Sequence, residues 1–283
     1  MKPLARLSFE FFPPRDTAGL ERLGRVRARL AAAGPEFFSV TYGAGGSTRD
    51  RTRDLVLSIQ AEGHSVAPHL SIGSDASNAV HALLDAYKEA GIREIVALRG
   101  DIPSGLGNRA EVHYAQELVE LIRSHSGDHF KIHVAAYPEV HPDARSPDAD
   151  LKFFAEKVAA GADDAITQYF YNAEAYFDFV TRCQGLGVDI PVVPGIMPIT
   201  NYANLVRFSE SCGADIPRWI KKRMEHYQDD PKSLQAFGLD VVTELCLRLI
   251  AGGAPGLHIY TMNQSKVPLA LLERLGHPVS ESR

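Results

Sequence analysis

The chain has only three cysteines, Cys183, Cys212 and Cys246, in 283 residues. They lie far apart and form neither a CxxC pair nor a zinc-ligand spacing, and an odd number leaves no complete disulfide framework. Free thiols in a reducing cytosol are expected. No basic stripe stands out. Lys and Arg number 30 against 35 Asp and Glu, for a formal net charge of −5, which argues against a nucleic-acid partner. The N-terminal MKPLARLSFE holds no apolar run long enough for a signal peptide, and nothing approaches a membrane span; the expected location is cytoplasmic. GxGxxG and GxxxxGK[ST] do not occur, so the dinucleotide fingerprint of a doubly wound open sheet and the P-loop are both missing. Low-complexity stretches and linkers are absent as well.

What is there is an ordinary globular composition, 45% hydrophobic and 23% charged, with enough length for a large core. A single domain over residues 1–283 is expected if the fold is a large one. Short apolar runs alternate with longer helical stretches. LSFEF is a strand stopped by Pro13 and Pro14. Leu20, Leu23, Val26 and Leu30 then recur at helical spacing, with Gly34 ending the helix. Seven more strands follow in EFFSVTYG, SVAPHLSIG, REIVALRGD, KIHVAAYP, DDAITQYFY, IPVVPGIMP and GLHIYTMNQ. A helix fits each of the seven gaps, the last over residues 230–253, and one more follows the eighth strand. Continuous apolar strands of this kind are those of a parallel sheet covered on both faces. Eight β-α units in this length predict an α/β fold, a (β/α)8 barrel, with the open doubly wound sheet as runner-up.

Polar residues cluster where such a barrel places its active site, at the C-terminal ends of the strands. Thr41 and Tyr42 end the second strand. His69 is in the third, and Arg99, Gly100 and Asp101 end the fourth. Tyr137 ends the fifth, Gln168 is in the sixth and Asn263 follows the eighth. Glu10 is the odd residue of the first strand, a carboxylate among Phe9, Phe11 and Phe12. Apolar neighbours would disfavour its charged form and suit it to act as an acid; a structural glutamate paired with a buried arginine is the alternative.

SFEFFPPR, FFSVTYGAGGSTRDRT, APHL, IVALRGDIP, VAAYPEVHP, ADLKFFAEKVAAGADDAITQYFY and PGIMPITN occur in this order. Together they resemble the methylenetetrahydrofolate reductase family, in its bacterial single-domain form, from about Leu7 to about Leu275. The resemblance implies a barrel that holds FAD. NADH or NADPH reduces the flavin and leaves, and 5,10-methylenetetrahydrofolate then takes the hydride to become 5-methyltetrahydrofolate. It makes Glu10 the general acid at N10 of the folate and Asp101 a charge beside the flavin. Cofactor contacts carry over to Thr41, Tyr42, Ala44, His69, Arg99, Gly100, Asp101, Ala115, Tyr137, His141, Ala144, Asp150 and Lys157. Thr41 is placed facing the nicotinamide, and Lys157 meets phosphate as a point charge. Gln168 hydrogen-bonds the pterin and Phe208 stacks on either substrate. From the residues alone, Gln168 is equally a buried polar group satisfied by a neighbouring strand, and Phe208 is more readily helix core.

No HExxH or close His/Asp cluster accompanies His69, His133 and His141, so no metal is expected. Gln264 departs from the family, which often carries a folate-contacting arginine there; either folate binds more weakly or Lys266 supplies the charge. Phe153 and Glu156 stand where polar and basic residues often meet the adenosine end of FAD. The competing readings are another folate or flavin barrel, such as a pterin methyltransferase or proline dehydrogenase, and a non-catalytic folate- or flavin-binding subunit. The oligomeric state, a homo-oligomer included, is left open by the sequence, as is the choice between NADH and NADPH.

Overall fold

A computed structural model describes residues 4–43, 48–72, 77–99 and 114–280. Ala44, Gly100 and Asp101 therefore lie outside the described residues. The order begins β1 (Leu7–Phe11), α1 (Thr17–Ala31), β2 (Phe37–Val40), α2 (Arg49–Ala61), β3 (Val66–Ile72), α3 (Ser77–Glu89), β4 (Glu94–Arg99) and α4 (Ala115–Ser126). It continues with β5 (Lys131–Ala136), α5 (Pro147–Ala159), β6 (Asp164–Thr167), α6 (Ala173–Gly185), β7 (Val192–Val193) and β8 (Gly195–Ile196). Then come α7 (Tyr202–Cys212), α8 (Arg218–His226), α9 (Pro231–Ala251), β9 (Leu257–Tyr260) and α10 (Lys266–Arg274).

Every strand pairing is parallel, in the order β7-β6-β5-β4-β3-β2-β1-β9-β8. The two ends of that order are the halves of one strand. Pro194 divides it, because proline lacks the N–H that a ladder needs. Val192 and Val193 pair with β6, while Gly195 and Ile196 pair with β9. The ring therefore closes at Pro194, and the eight expected strands form a (β/α)8 barrel whose seventh is split. Gly195 is required at this seam: a Cβ there would lie 2.1 Å from the Thr167 carbonyl, and its N–H donates to Thr167 Oγ1 at 2.9 Å. The seventh gap holds three helices, α7 to α9, rather than one.

Alternation along each strand separates two cores. Phe9, Phe11 and Phe38 turn outward and stack, with ring centroids 6.2 and 5.3 Å apart, beneath the helices. Full burial of each contributes roughly 1.5–3 kcal/mol. Phe37, Ala67, Val96 and Ile166 turn inward and fill the lumen. On α1 the buried face is Gly19, Leu23, Arg27 and Leu30. Leu20 is instead 47% exposed, and Arg27 takes its place inside by pairing with Glu62.

The floor of the barrel, at the N-terminal ends of the strands, is polar. Asp164, which starts β6, is fully buried. It accepts from Arg6 Nη2 at 2.6 Å, meets Lys131 Nζ at 3.1 Å and pairs with His133 Nδ1. His133 Nε2 lies 2.6 Å from Glu94 Oε2, and Arg6 also reaches Glu36 at 3.0 Å. Burial alone would raise the Asp164 pKa, but the His133 hydrogen bond and the charges of His133, Arg6 and Lys131 overcome it and hold this carboxylate well below the usual range. His133 shifts the other way. Burial would lower it, and its bonds to Asp164 and Glu94 outweigh that and raise it.

Candidate active site

Glu10 rises into the lumen near the C-terminal end of β1. Its flanking phenylalanines are not its surroundings. With a side-chain period of two, Phe9 and Phe11 point to the helix layer, and Phe12, 43% exposed, lies beyond the strand. The apolar pocket expected from neighbours in sequence is replaced by two imidazoles. His69 Nε2 lies 3.4 Å and His258 Nε2 3.5 Å from Glu10 Oε2. These rings, rather than an arginine, face the Glu10 carboxyl group among the described residues. His69 is buried in β3, and burial pushes its pKa down to about 4, against the opposing pull of Glu10. It is therefore neutral at neutral pH. His258 Nδ1 is in turn 2.7 Å from Ser8 Oγ. Ser8 and His258 are direct partners in the β1–β9 ladder.

The turn after β9 clamps the end of β1. Thr261 Oγ1 donates to the Glu10 carbonyl at 2.6 Å. Asn263 Oδ1 accepts from the Phe12 N–H at 3.1 Å, and its Nδ2 donates to the Phe12 carbonyl at 2.8 Å. Met262 and Asn263 both adopt left-handed backbone, with φ of 51° and 55°. Such conformations persist only where neighbouring contacts enforce them, and they gather at functional sites. Gln264 follows on the exposed side of this turn, its N–H on the Thr261 carbonyl.

A second group lines the rim from β2 to α5. Thr41 and Tyr42 follow β2, with the Thr41 N–H on the Phe11 carbonyl at 2.9 Å. Arg99, at the end of β4, pairs with Asp143 in the loop after β5. In that loop the Tyr137 and His141 rings meet edge to face at 4.5 Å, and Ala144 N–H donates to the His141 carbonyl at 2.9 Å. Asp150, in the first turn of α5, accepts from the His141 N–H at 2.9 Å. The His141 ring is held below its ordinary pKa by burial first and by Arg99 next. Lys157 donates to the Ala135 carbonyl and sits 5.3 Å above the Phe154 ring. Burial lowers its pKa to about 8, so it stays mostly protonated at neutral pH. Ala115 opens α4, whose first turn is held by a capping box: the Tyr114 N–H donates to Glu117 Oε2 at 3.3 Å and the Glu117 N–H to the Tyr114 carbonyl at 3.1 Å.

Gln168 lies just beyond β6, with its Oε1 on the Tyr169 N–H at 3.0 Å, and shares a shallow cavity with Tyr137 and Cys212. Tyr169 Oη lies 3.0 Å from Ser209 Oγ, which ties α7 to this strand end. The next residue along α7 from the anchor, Phe208, is only partly buried, with the Arg207 guanidinium 5.2 Å above its ring. It is more open than a core phenylalanine.

The structure thus gathers the expected residues in two places. Glu10 and His69 meet in the lumen, while Arg99, Tyr137, His141, Ala144, Asp150 and Lys157 form one arc on the rim. Ser8, His258 and Thr261 were not anticipated. The signal was present for His258, a polar residue inside the apolar run LHIY, as Glu10 is inside LSFEF.

An acid and two imidazoles inside a (β/α)8 barrel, beneath a rim of mixed aromatic and cationic groups, define a barrel enzyme that works at the C-terminal ends of its strands. The family model described as methylenetetrahydrofolate reductase matches residues 3–276, and the chain belongs to that family. It is 39% identical over 271 residues to the 5,10-methylenetetrahydrofolate reductase of Pectobacterium carotovorum, covering 95% of this chain and 90% of the relative. Against the Escherichia coli enzyme of the same name, identity is 38% with the same coverage. Against Arabidopsis thaliana methylenetetrahydrofolate reductase (NADH) 1 it is 37% over 288 residues, spanning 48% of that longer protein. Among solved structures, an uncharacterized Clostridium thermocellum protein that binds two copies of 5-methyl-5,6,7,8-tetrahydrofolic acid superimposes with a TM-score of 0.64. It covers 97% of this chain and 95% of its own. At 15% identity that likeness speaks for the fold.

Proposed function

We propose that this chain reduces 5,10-methylenetetrahydrofolate to 5-methyltetrahydrofolate with NADH or NADPH, in two half-reactions at one site that holds FAD. In this reading residues 1–283 act as one cytoplasmic catalytic domain, serving one-carbon metabolism and methionine synthesis. The observation that carries it is Glu10, a carboxylate presented inside the lumen between two imidazoles, in a chain of this family. The reductase names of the relatives support the folate substrate class, and the NADH named for plant relatives supports a pyridine nucleotide.

The donor set on the rim suits FAD. Tyr42 and Tyr137 offer aromatic faces. Arg99 and Lys157 offer positive charge for a pyrophosphate, and Ala115 joins them by resemblance. His141, Ala144 and Asp150 complete the arc, and Thr41 faces the nicotinamide; His69, from the lumen, and Ala44, Gly100 and Asp101 join this set by resemblance. When bound, FAD supplies hydride transfer, which the protein's side chains cannot perform.

The chain's own residues bind, orient and protonate. Gln168 offers both a donor and an acceptor to the pterin edge. Phe208 supplies a ring face to either substrate. Glu10 gives its proton to N10 of the folate, and the C–N10 bond of the five-membered ring opens to leave an iminium at N5. That carbon is the hydride acceptor. Glu10 is left as carboxylate and regains a proton from solvent before the next turnover. The absorption spectrum of the purified protein, followed by turnover with NADH and methylenetetrahydrofolate, tests the reading. A flavin spectrum bleached by NADH and restored by the folate supports it. A colourless protein that will not bind added FAD would sink it.

A further inference from the structure

His69 Nε2 and His258 Nε2 are both buried, and among the described residues no hydrogen bond satisfies either one. Buried ring nitrogens ordinarily find partners. Here both converge on a single atom, Glu10 Oε2, at 3.4 and 3.5 Å. These distances exceed an ordinary N–H···O bond, as catalytic contacts commonly do before substrate is bound. Ser8 meets the other side of the His258 ring, Oγ to Nδ1 at 2.7 Å. Strand geometry builds this chain of groups. Ser8 and Glu10 share a face because they are two residues apart, and Ser8 stands opposite His258 in the ladder.

A carboxylic acid delivers its proton only from the oxygen that bears it. An imidazole presenting a lone pair to Oε2 would capture the acid proton there and keep it from the folate. An imidazole presenting N–H would occupy Oε2 as an acceptor and leave the proton on Oε1. The tautomer of His258 therefore bears on whether Glu10 can act; the Ser8 hydroxyl at Nδ1 can donate or accept, and as a donor it leaves the ring proton on Nε2.

We propose that His258 is a positioning residue for Glu10: Ser8 donates its hydroxyl proton to Nδ1, the ring donates Nε2–H to Glu10 Oε2, and the transferable proton is kept on Oε1. This rests on the assignment of Glu10 as proton donor. When the O–H bond at Oε1 breaks and an N–H bond forms at N10, Glu10 becomes an anion. The bond from His258 Nε2 is then charge-assisted and shortens, so it stabilises the transition state more than the resting acid. Among the described residues, the other titratable groups around His258 are few. They are Glu10 of β1, His69 of β3, which burial keeps neutral, and Tyr260 of β9, whose ring centroid is 5.3 Å away and whose hydroxyl is held by the Thr167 carbonyl. His133 is engaged below by Asp164 and Glu94.

Two measurements on the flavin-loaded protein test this. The nitrogen-15 spectrum of histidine-labelled protein reads the tautomer without any folate turnover. A protonated Nε2 and bare Nδ1 on His258 are expected, and the opposite tautomer overturns the proposal. Rapid mixing then reads the folate half-reaction against pH, normalised to the NADH half-reaction of the same variant. His258→Leu should lower the plateau by roughly tenfold, a part of the ~10²–10⁴ that a general acid supplies. It should also move the pH midpoint upward, because the carboxylate has lost a donor. His258→Gln should restore the midpoint, since its amide can accept from Ser8 and donate to Glu10, and Ser8→Ala should fall between. A His258→Leu midpoint and ratio equal to wild type, or a glutamine variant as impaired as the leucine one, refutes the role. A wild-type protein with the expected tautomer but no folate half-reaction would refute the assignment of Glu10 instead.

Discussion

Asp164→Asn isolates the charge at the barrel floor while keeping its shape. The wild-type carboxylate is fully buried and faces Arg6, Lys131 and His133. Breaking a buried ion pair by removing one partner costs about 3–5 kcal/mol, because the remaining charges are left uncompensated. Two features place this case at the lower end. Arg6 keeps Glu36 at 3.0 Å, and the Lys131 side chain, 39% exposed, can turn to water. The expected loss is about 3 kcal/mol, a large share of a typical ~5–15 kcal/mol. With a urea m-value near ~3 kcal/mol/M for a chain of this size, the midpoint should drop by about 1 M. The pH dependence is a sharper test. Asp164 has a depressed pKa, so its contribution is complete above its ordinary 3.8 and is lost as pH falls below that value. His133 has a raised pKa, so its contribution is complete below its ordinary 6.5 and is lost as pH rises through its folded value. The network therefore stabilises most between those two values, and the variant should lose most there. Urea titrations of both proteins across that window and below it are the assay. A loss under ~1 kcal/mol, or a difference between the proteins that does not shrink on acidification, would refute this account of the floor.

Glu10→Gln should keep bound flavin and its reduction by NADH but slow the folate half-reaction by ~10²–10⁴-fold; stopped-flow separates the two steps, and equal loss in both would remove the acid role. Asn263→Ala deletes both bonds to the Phe12 backbone and puts a poorly suited residue in left-handed backbone. It should cost about 2 kcal/mol and lower the melting temperature by roughly 4–8 °C, while Asn263→Gly should recover part of the loss; an unchanged melt would mean the clamp is not needed. Gln264→Arg should tighten folate by roughly 0.5–1.5 kcal/mol if a charge is missing from this exposed turn. If Lys266 already supplies it, the variant gains nothing and Lys266→Ala weakens binding; no change in the folate Kd for either variant would place the turn away from the folate.

Much of this was written along the chain. Alternating apolar runs and helical stretches specify parallel strands under helices, since each must bury its apolar face, and eight of them close into a barrel. A lone glutamate in LSFEF marks the lumen because polar groups inside an apolar strand need a reason. Helix α9 was expected at residues 230–253 and runs Pro231–Ala251, with Asp230 capping it and proline at its first turn, signals that are local. What was not legible depended on which residues meet across strands. That Pro194, which lacks an N–H, falls where the seventh strand passes from one neighbour to the other is decided by barrel closure. The side chains nearest Glu10 in sequence point away from it, while His69 and His258, 59 and 248 positions later in the numbering, are its real surroundings. Strand alternation and barrel closure decide that, and neither the tautomer of His258 nor the charge balance of Asp164 exists until strands distant in sequence bring their partners within a hydrogen bond's length.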